Sequence, residues 1–168
     1  MSQKLTARGQ IKPAAQARVG TIGGGVLNRL VVEVGDPVSD QQEMARVRGL
    51  DGTEIVTSPL RGTVTAVLAH MGDTLGPGAT IATVGDLSRL QIETTDVDEF
   101  LISNVRKDQA VTVFVDALER SLPGRVRTVA LQPIVASSGD EHYPVVIDLL
   151  DSTDTLRLGM SVRIRFAD

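Results

Sequence analysis

Residues 25–47 read GVLNRLVVEVGDPVSDQQEMARV, and residues 62–84 read GTVTAVLAHMGDTLGPGATIATV. Laid over one another without a gap, Gly25 meets Gly62, Gly35-Asp36 meets Gly72-Asp73, and Ala45 and Val47 meet Ala82 and Val84. The apolar rhythm agrees where identities do not: Leu27 with Val64, Leu30 with Val67, Val34 with Met71, Val38 with Leu75, Met44 with Ile81. In each copy alternating residues, Leu30, Val32 and Val34 or Val67, Ala69 and Met71, predict a half-buried strand across 26–34 and its equivalent. Gly-Asp then supplies turn chemistry, because Gly accepts φ > 0 and Asp hydrogen-bonds its own backbone. Neither unit buries a face alone, so the pair predicts a small sandwich about a pseudo-twofold axis. The joint, Arg48 to Leu60, carries the hairpin signal Asp51-Gly52 and reads as a tight turn at the sandwich edge.

Outside the repeat, residues 4 to 19 read as one short extended segment and then a linker, and Gly23-Gly24-Gly25 as a hinge. Those glycines lead into a strand, where a phosphate loop would need a helix. From Gly85 onward, Leu90, Ile92 and Thr94 predict a strand. Asp96 with Glu99 resembles a capping pair for a helix over about 97–106, with Val97, Leu101 and Val105 at helical spacing. Val111, Val113 and Val115 alternate next, and a strand over 126–131 follows a Pro123-Gly124 turn. Val145, Ile147 and Leu149, then Val162, Ile164 and Phe166, complete the pattern of a small antiparallel barrel crossed by one helix. The fold class expected is mainly all-β: a sandwich over 20–85, and a barrel built from 4–15 and 86–168.

Composition narrows the function. Aromatic residues make up 2% of the 168-residue chain, so its cores must be built from Val, Leu, Ile and Ala. Zero cysteines remove disulfide scaffolds and thiolate metal sites together. A net charge of −4 and the lack of stacking aromatics argue against nucleic acid as partner. No apolar run reaches the roughly 20 residues of a spanning helix, and the first residues lack the apolar middle of a signal peptide. His70 and His142 fall in different modules, without the further ligands a metal site needs. Asp96, Asp98 and Glu99 are explained by capping and a solvated helix start, and Ser137-Ser138 lacks the frame of a nucleophile elbow. No catalytic residue, cofactor or metal ligand is expected. Arg125, Arg127, Arg163 and Arg165 take outward strand positions and form the candidate partner surface.

The tandem G-V-x-x-V-x-x-G-D-x-V halves resemble the biotinyl/lipoyl-domain family, and Ser58-Pro59-Leu60-Arg61-Gly62 matches its S-P-x-x-G segment. In carrier members a lysine at the turn between halves is modified covalently; here that position falls at Asp51, and no lysine lies between Lys12 and Lys107. The rest of the chain resembles membrane fusion proteins, also called periplasmic adaptor or HlyD-like subunits. Asp86-Leu87-Ser88, Val97-Asp98-Glu99, Gln109, Val111, Val113, Asp116-Ala117, Pro123-Gly124 and Val126 follow that family's order. Tyr143-Pro144-Val145 and Leu156-Arg157-Leu158-Gly159-Met160 look like its Y-P-V and L-R-P-G-M signatures. Asp108 stands where Gly is usual, a change tolerated because Asp visits the left-handed region. The helical hairpin that adaptors insert between the lipoyl halves is missing, whether naturally or by truncation, since Arg48 to Ser58 cannot hold a helix pair. The resemblance implies a non-enzymatic subunit of an efflux or secretion system, extracytoplasmic and anchored to the membrane by a segment outside this chain. It implies self-association into a ring on an inner-membrane transporter, ABC type favoured, while the missing hairpin counts against contact with an outer-membrane channel. Competing expectations are an acyl- or biotin-carrier module, disfavoured by Asp51, and a nucleic-acid-binding barrel.

Overall fold

The computed structural model describes residues 5–151 and 155–168; Lys4, at the start of the expected barrel segment, lies outside them. In chain order the strands are β1 Thr6–Pro13, β2 Gln16–Gly20, β3 Gly25–Leu30, β4 Pro37–Val38, β5 Glu43–Gly49, β6 Gly52–Thr57, β7 Gly62–Val67, β8 Thr74–Leu75 and β9 Thr80–Gly85. They continue as β10 Leu90–Thr94, helix α1 Glu99–Ile102, β11 Ala110–Val115, β12 Arg120–Val129, β13 Ile134–Val135, β14 Glu141–His142, β15 Val145–Leu149 and β16 Ser161–Phe166. Two compact units result, one running from Ala14 to Ser88 and the other joining the segment that ends at Pro13 to Arg89–Asp168.

The first unit is the doubled sandwich. Its sheets run β2-β9-β7-β4 and β6-β5-β3-β8, so each copy lends its short strand to the other's sheet: β4 pairs with β7, and β8 with β3. The repeat begins earlier than Gly25, because β2 occupies in one sheet the edge that β6 occupies in the other. The linker expected before residue 20 is therefore strand, and Gly23-Gly24-Gly25 lies inside the first copy at the place of Leu60-Arg61-Gly62, not in a hinge. The long alternating strands are also cut short. β3 and β7 carry bulges between Leu27 and Arg29 and between Val64 and Ala66 and end at Leu30 and Val67. Val32 and Ala69 still reach the core, while Val34 and Met71 face solvent. The core packs Leu27, Met44, Val47, Val64, Ile81 and Val84 between the sheets.

The second unit is a closed six-stranded antiparallel barrel in the order β1-β10-β15-β12-β11-β16. Alternation sends Ile11, Ile92, Val113, Val126, Ile147 and Ile164 inward and leaves the intervening polar residues outside. Pro123-Gly124 is no turn: it sits within β12, opposite Thr112 and Val111, with Gly124 facing inward where Ile147 and Val111 leave no room for a side chain. The strand expected over 126–131 accordingly starts at Arg120 and stops at Val129.

The helix is one turn, Glu99–Ile102, rather than a helix over 97–106. Asp98 caps it, accepting from the amides of Phe100 and Leu101, while the Asp96 carboxylate is drawn instead to the Arg8 amide at 2.7 Å. Val97 stays ahead of the helix, its carbonyl accepting from the Tyr143 amide. Ser103 and Asn104 end it by donating side-chain hydrogen bonds to the carbonyls of Glu99 and Phe100. Val97 and Val105 are buried in the barrel core all the same. Asp108 takes φ = 65° in the turn before β11, as its substitution for glycine requires.

Candidate functional site

Two places concentrate chemistry, one on each unit. On the sandwich it is the joint. β5 and β6 form a hairpin closed by the two-residue loop Leu50-Asp51, with Gly52 at φ = 125°. Leu50 is fully exposed, and Ile22 nearly so. Beside this loop an open depression of about 730 Å³ is lined by Gly23-Gly24-Gly25, Leu50-Asp51 and Glu54. Glu54 ties the two copies together there. Its carboxylate accepts from the Thr21 hydroxyl at 3.0 Å, the Ile22 amide at 3.1 Å and the Gly23 amide at 3.2 Å. Thr21, buried, accepts in turn from the Gly24 amide.

Partial burial pushes the Glu54 carboxyl upward, but the hydrogen bonds from Ile22, Gly23 and Thr21 outweigh it and hold the pKa below the ordinary glutamate value. A lowered folded-state pKa means the contribution is complete above the unfolded value, about 4.3, and is lost as pH falls through the lower folded value. Glu54→Gln keeps an acceptor but not the charge. At neutral pH it is expected to cost about 1 kcal/mol, the small figure reflecting partial exposure. It should also flatten the loss of stability below about pH 4.3 that urea titrations of the wild type show; a variant with an unchanged acid limb would remove Glu54 from that role.

The joint has no group to bear a carrier's cofactor. A biotinyl or lipoyl arm needs a lysine amine, and the loop offers Asp51, with no lysine anywhere between Lys12 and Lys107. Those residues do not fit an attached cofactor.

On the barrel, Arg125, Arg127, Arg163 and Arg165 all face solvent, yet they do not form one patch. Arg125 lies across from Asp148 on β15, and Arg127 pairs with that carboxylate at 3.3 Å. Arg163 donates from Nε to Asp116 at 2.8 Å and lies over the Phe114 ring, 4.6 Å from its centroid. Barrel closure adds a residue that sequence spacing did not suggest: Arg8 on β1 sits directly across from Arg163, and Thr6 across from Arg165. Arg8, Arg163 and Arg165, with Phe114, Thr112 and Asp96, line an open depression of about 610 Å³. The alternation of β1 marks Arg8 as outward, but only closure between β1 and β16 shows which face it joins.

The remaining sequence candidates are dispersed. His70 is exposed, with Nδ1 3.8 Å from Asp73. His142 is buried in β14, and its Nδ1 has no hydrogen-bond partner among the described residues. Asp98 caps α1, Asp96 holds Arg8's amide, and Ser138 donates to Asp140. Among the described residues no group of three or more His, Asp or Glu side chains could hold a metal ion.

Comparison with known proteins follows the same division. The biotinyl/lipoyl family, described as "Biotin-requiring enzyme", matches residues 15–84. By sequence, no curated protein matches. Among solved structures, ZneB from Cupriavidus metallidurans superposes with a TM-score of 0.75 at 17% identity, over 96% of this chain and 96% of that one. A MacA–MexA chimera containing the Pseudomonas aeruginosa MexA α-hairpin domain gives 0.83 at 18% identity, over 99% of this chain and 82% of that one. The membrane fusion protein Spr0693 from Streptococcus pneumoniae R6 gives 0.72 at 16% identity, over 96% and 98%. Residues 15–84 match the biotinyl/lipoyl family, and the chain as a whole shares the fold of these solved structures, a membrane fusion protein among them.

Proposed function

We propose that the chain is a non-enzymatic adaptor, a membrane fusion subunit that packs with copies of itself into a ring on an inner-membrane transporter, ABC type favoured, and couples it to efflux or secretion. The observation that carries this reading is a lipoyl-type sandwich whose joint is a two-residue loop bearing Asp51, linked to a closed barrel. Such a sandwich has lost the chemistry of a carrier and kept its shape, which leaves packing as its use. The setting is extracytoplasmic, at a membrane; among the described residues no helix is long and apolar enough to cross one. The barrel's outward arginines, Arg125, Arg127, Arg163 and Arg165, are the surface offered to partners, and contact with an outer-membrane channel is not proposed for a joint this short.

The test is cross-linking in the native host followed by affinity capture and intact-mass measurement. An unmodified chain recovered with a membrane transporter is the expected result. A biotinyl or lipoyl adduct, or recovery with a carboxylase or dehydrogenase, would replace this reading with the carrier alternative.

A further inference from the structure

β13 and β14 form a two-stranded sheet hydrogen-bonded to no strand of the barrel. Isolated hairpins of that size are marginal in water unless something packs on them. This one exposes Leu131 completely, Val135 by 66% and Ile134 by 45%. Its outer end carries Asp140 and Glu141, both exposed, and residues 130–143 contain no Lys or Arg. Neither acid has an ion-pair partner among the described residues. Beyond the buried His142, the hairpin therefore presents an apolar, acidic surface with no ion-pair partner among the described residues.

The arginine depression on β1, β16 and β11 has the opposite character. Arg8 and Arg163 face each other directly across two strands, an arrangement of like charges that costs stability. Asp116 is engaged by Arg163, and Asp96 by the Arg8 amide. Arg8 and Arg165 have no carboxylate partner among the described residues. The Phe114 ring and the methyls of Thr6 and Thr112 offer apolar surface beside the charges. A polyphosphate would meet the rim carboxylates and the chain's net charge of −4; a pair of carboxylates on an apolar hairpin would not exceed what the arginines neutralise.

The hairpin is not seated in the depression of its own chain: Ile134 and Val135 stay exposed, and neither Asp140 nor Glu141 pairs with Arg8 or Arg165 among the described residues. We propose that the β13–β14 hairpin of one copy docks into the Arg8/Arg163/Arg165 depression of the next, a head-to-tail contact that propagates around the barrel and closes into a ring. In this head-to-tail arrangement each copy offers its hairpin to one neighbour and its depression to another, the heterologous contact that builds rings. The inference rests on the ring reading and specifies the surfaces that make it.

Sedimentation velocity of the chain across concentration and salt tests it. Wild type should associate reversibly, and less so at high salt. Arg8→Glu/Arg165→Glu and Asp140→Lys/Glu141→Lys, all at exposed positions and checked for folding by circular dichroism and Tm, should each weaken association by about tenfold or more. Combining all four changes in one chain should restore it. An equimolar mixture of the two double variants should also regain association, because each variant's hairpin then meets a depression of opposite charge on the other. A wild type that stays monomeric throughout would overturn the proposal, as would association unchanged in both double variants. Either result leaves the adaptor reading to stand or fall on capture of the transporter.

Discussion

Gly25→Ala should destabilise the sandwich by about 3 kcal/mol, a large share of what holds a small domain folded. Gly25 opens β3 at φ = 139°, a backbone region in which a side chain is strained by roughly 1–3 kcal/mol. A methyl there would also overlap the carbonyl oxygen of Arg48, with the Gly49 Cα 3.0 Å away. All of these are backbone atoms of β5, so relief requires moving β3 from the strand it pairs with through Val26↔Arg48, an overpacking cost of about 1–3 kcal/mol. Two controls separate the contributions. At Gly35, φ = 95° and nothing lies within 4 Å, so Gly35→Ala carries the backbone cost alone. Gly62, the equivalent of Gly25 in the second copy, has ordinary φ but would place a methyl 2.5 Å from the Gly85 carbonyl oxygen, so Gly62→Ala carries the clash alone. Urea unfolding, followed through the transition of this unit, should rank Gly25→Ala as the most damaging of the three. If it is no worse than Gly35→Ala, the close approach of β3 to β5 is not what the glycine serves.

The same comparison shows what a single sequence reveals of this fold and what it hides. The doubling was legible because the Gly-Asp turns and the apolar rhythm recur at a fixed interval. β2 and β6 were not recognised as a repeated pair because their residues share little beyond Val19 and Val56, and the hydroxyls of Thr21 and Ser58 that follow. Their equivalence is one of position at a sheet edge, which only pairing reveals. The helix was overextended because periodicity reports which residues face a core. It does not report that Asp96 is drawn to the Arg8 amide ahead of the helix, or that Ser103 and Asn104 find backbone partners that end the helix early. The four arginines were correctly placed outside by alternation, but their counter-charges, Asp116 and Asp148, and their neighbour Arg8 come from strands that barrel closure brings alongside. The Asp140–Glu141 hairpin carried no motif at all. Its meaning lies in exposing Ile134 and Val135 beside two carboxylates.

Ile147→Ala should cost the barrel about 3–4 kcal/mol, and it offers a sharper test of the packing than its size alone. Ile147 is fully buried on β15, in register with Ile92 on β10 and Val126 on β12. Truncation removes three carbons from a core with few aromatics to slide into the space. Ile147→Val should cost about 1 kcal/mol, and Asp148→Ala, which loses only the exposed pair with Arg127, no more than about 1 kcal/mol. Gly124 makes the argument specific. A methyl at Gly124 would lie 3.0 Å from Ile147 Cγ2, 3.0 Å from Val111 Cγ2 and 3.1 Å from the Asp148 carbonyl oxygen. Gly124→Ala alone should therefore destabilise by about 1–3 kcal/mol. In the Ile147→Ala background one of those three neighbours is gone and a cavity has opened beside it, so the same methyl should cost less and fill part of the void. A double-mutant cycle should then show a favourable coupling of about 0.5–3 kcal/mol. Strict additivity would mean that β12 and β15 relax apart when either residue changes, and that the glycine in the Pro123-Gly124 pair is held by backbone geometry instead of by the side chain it faces.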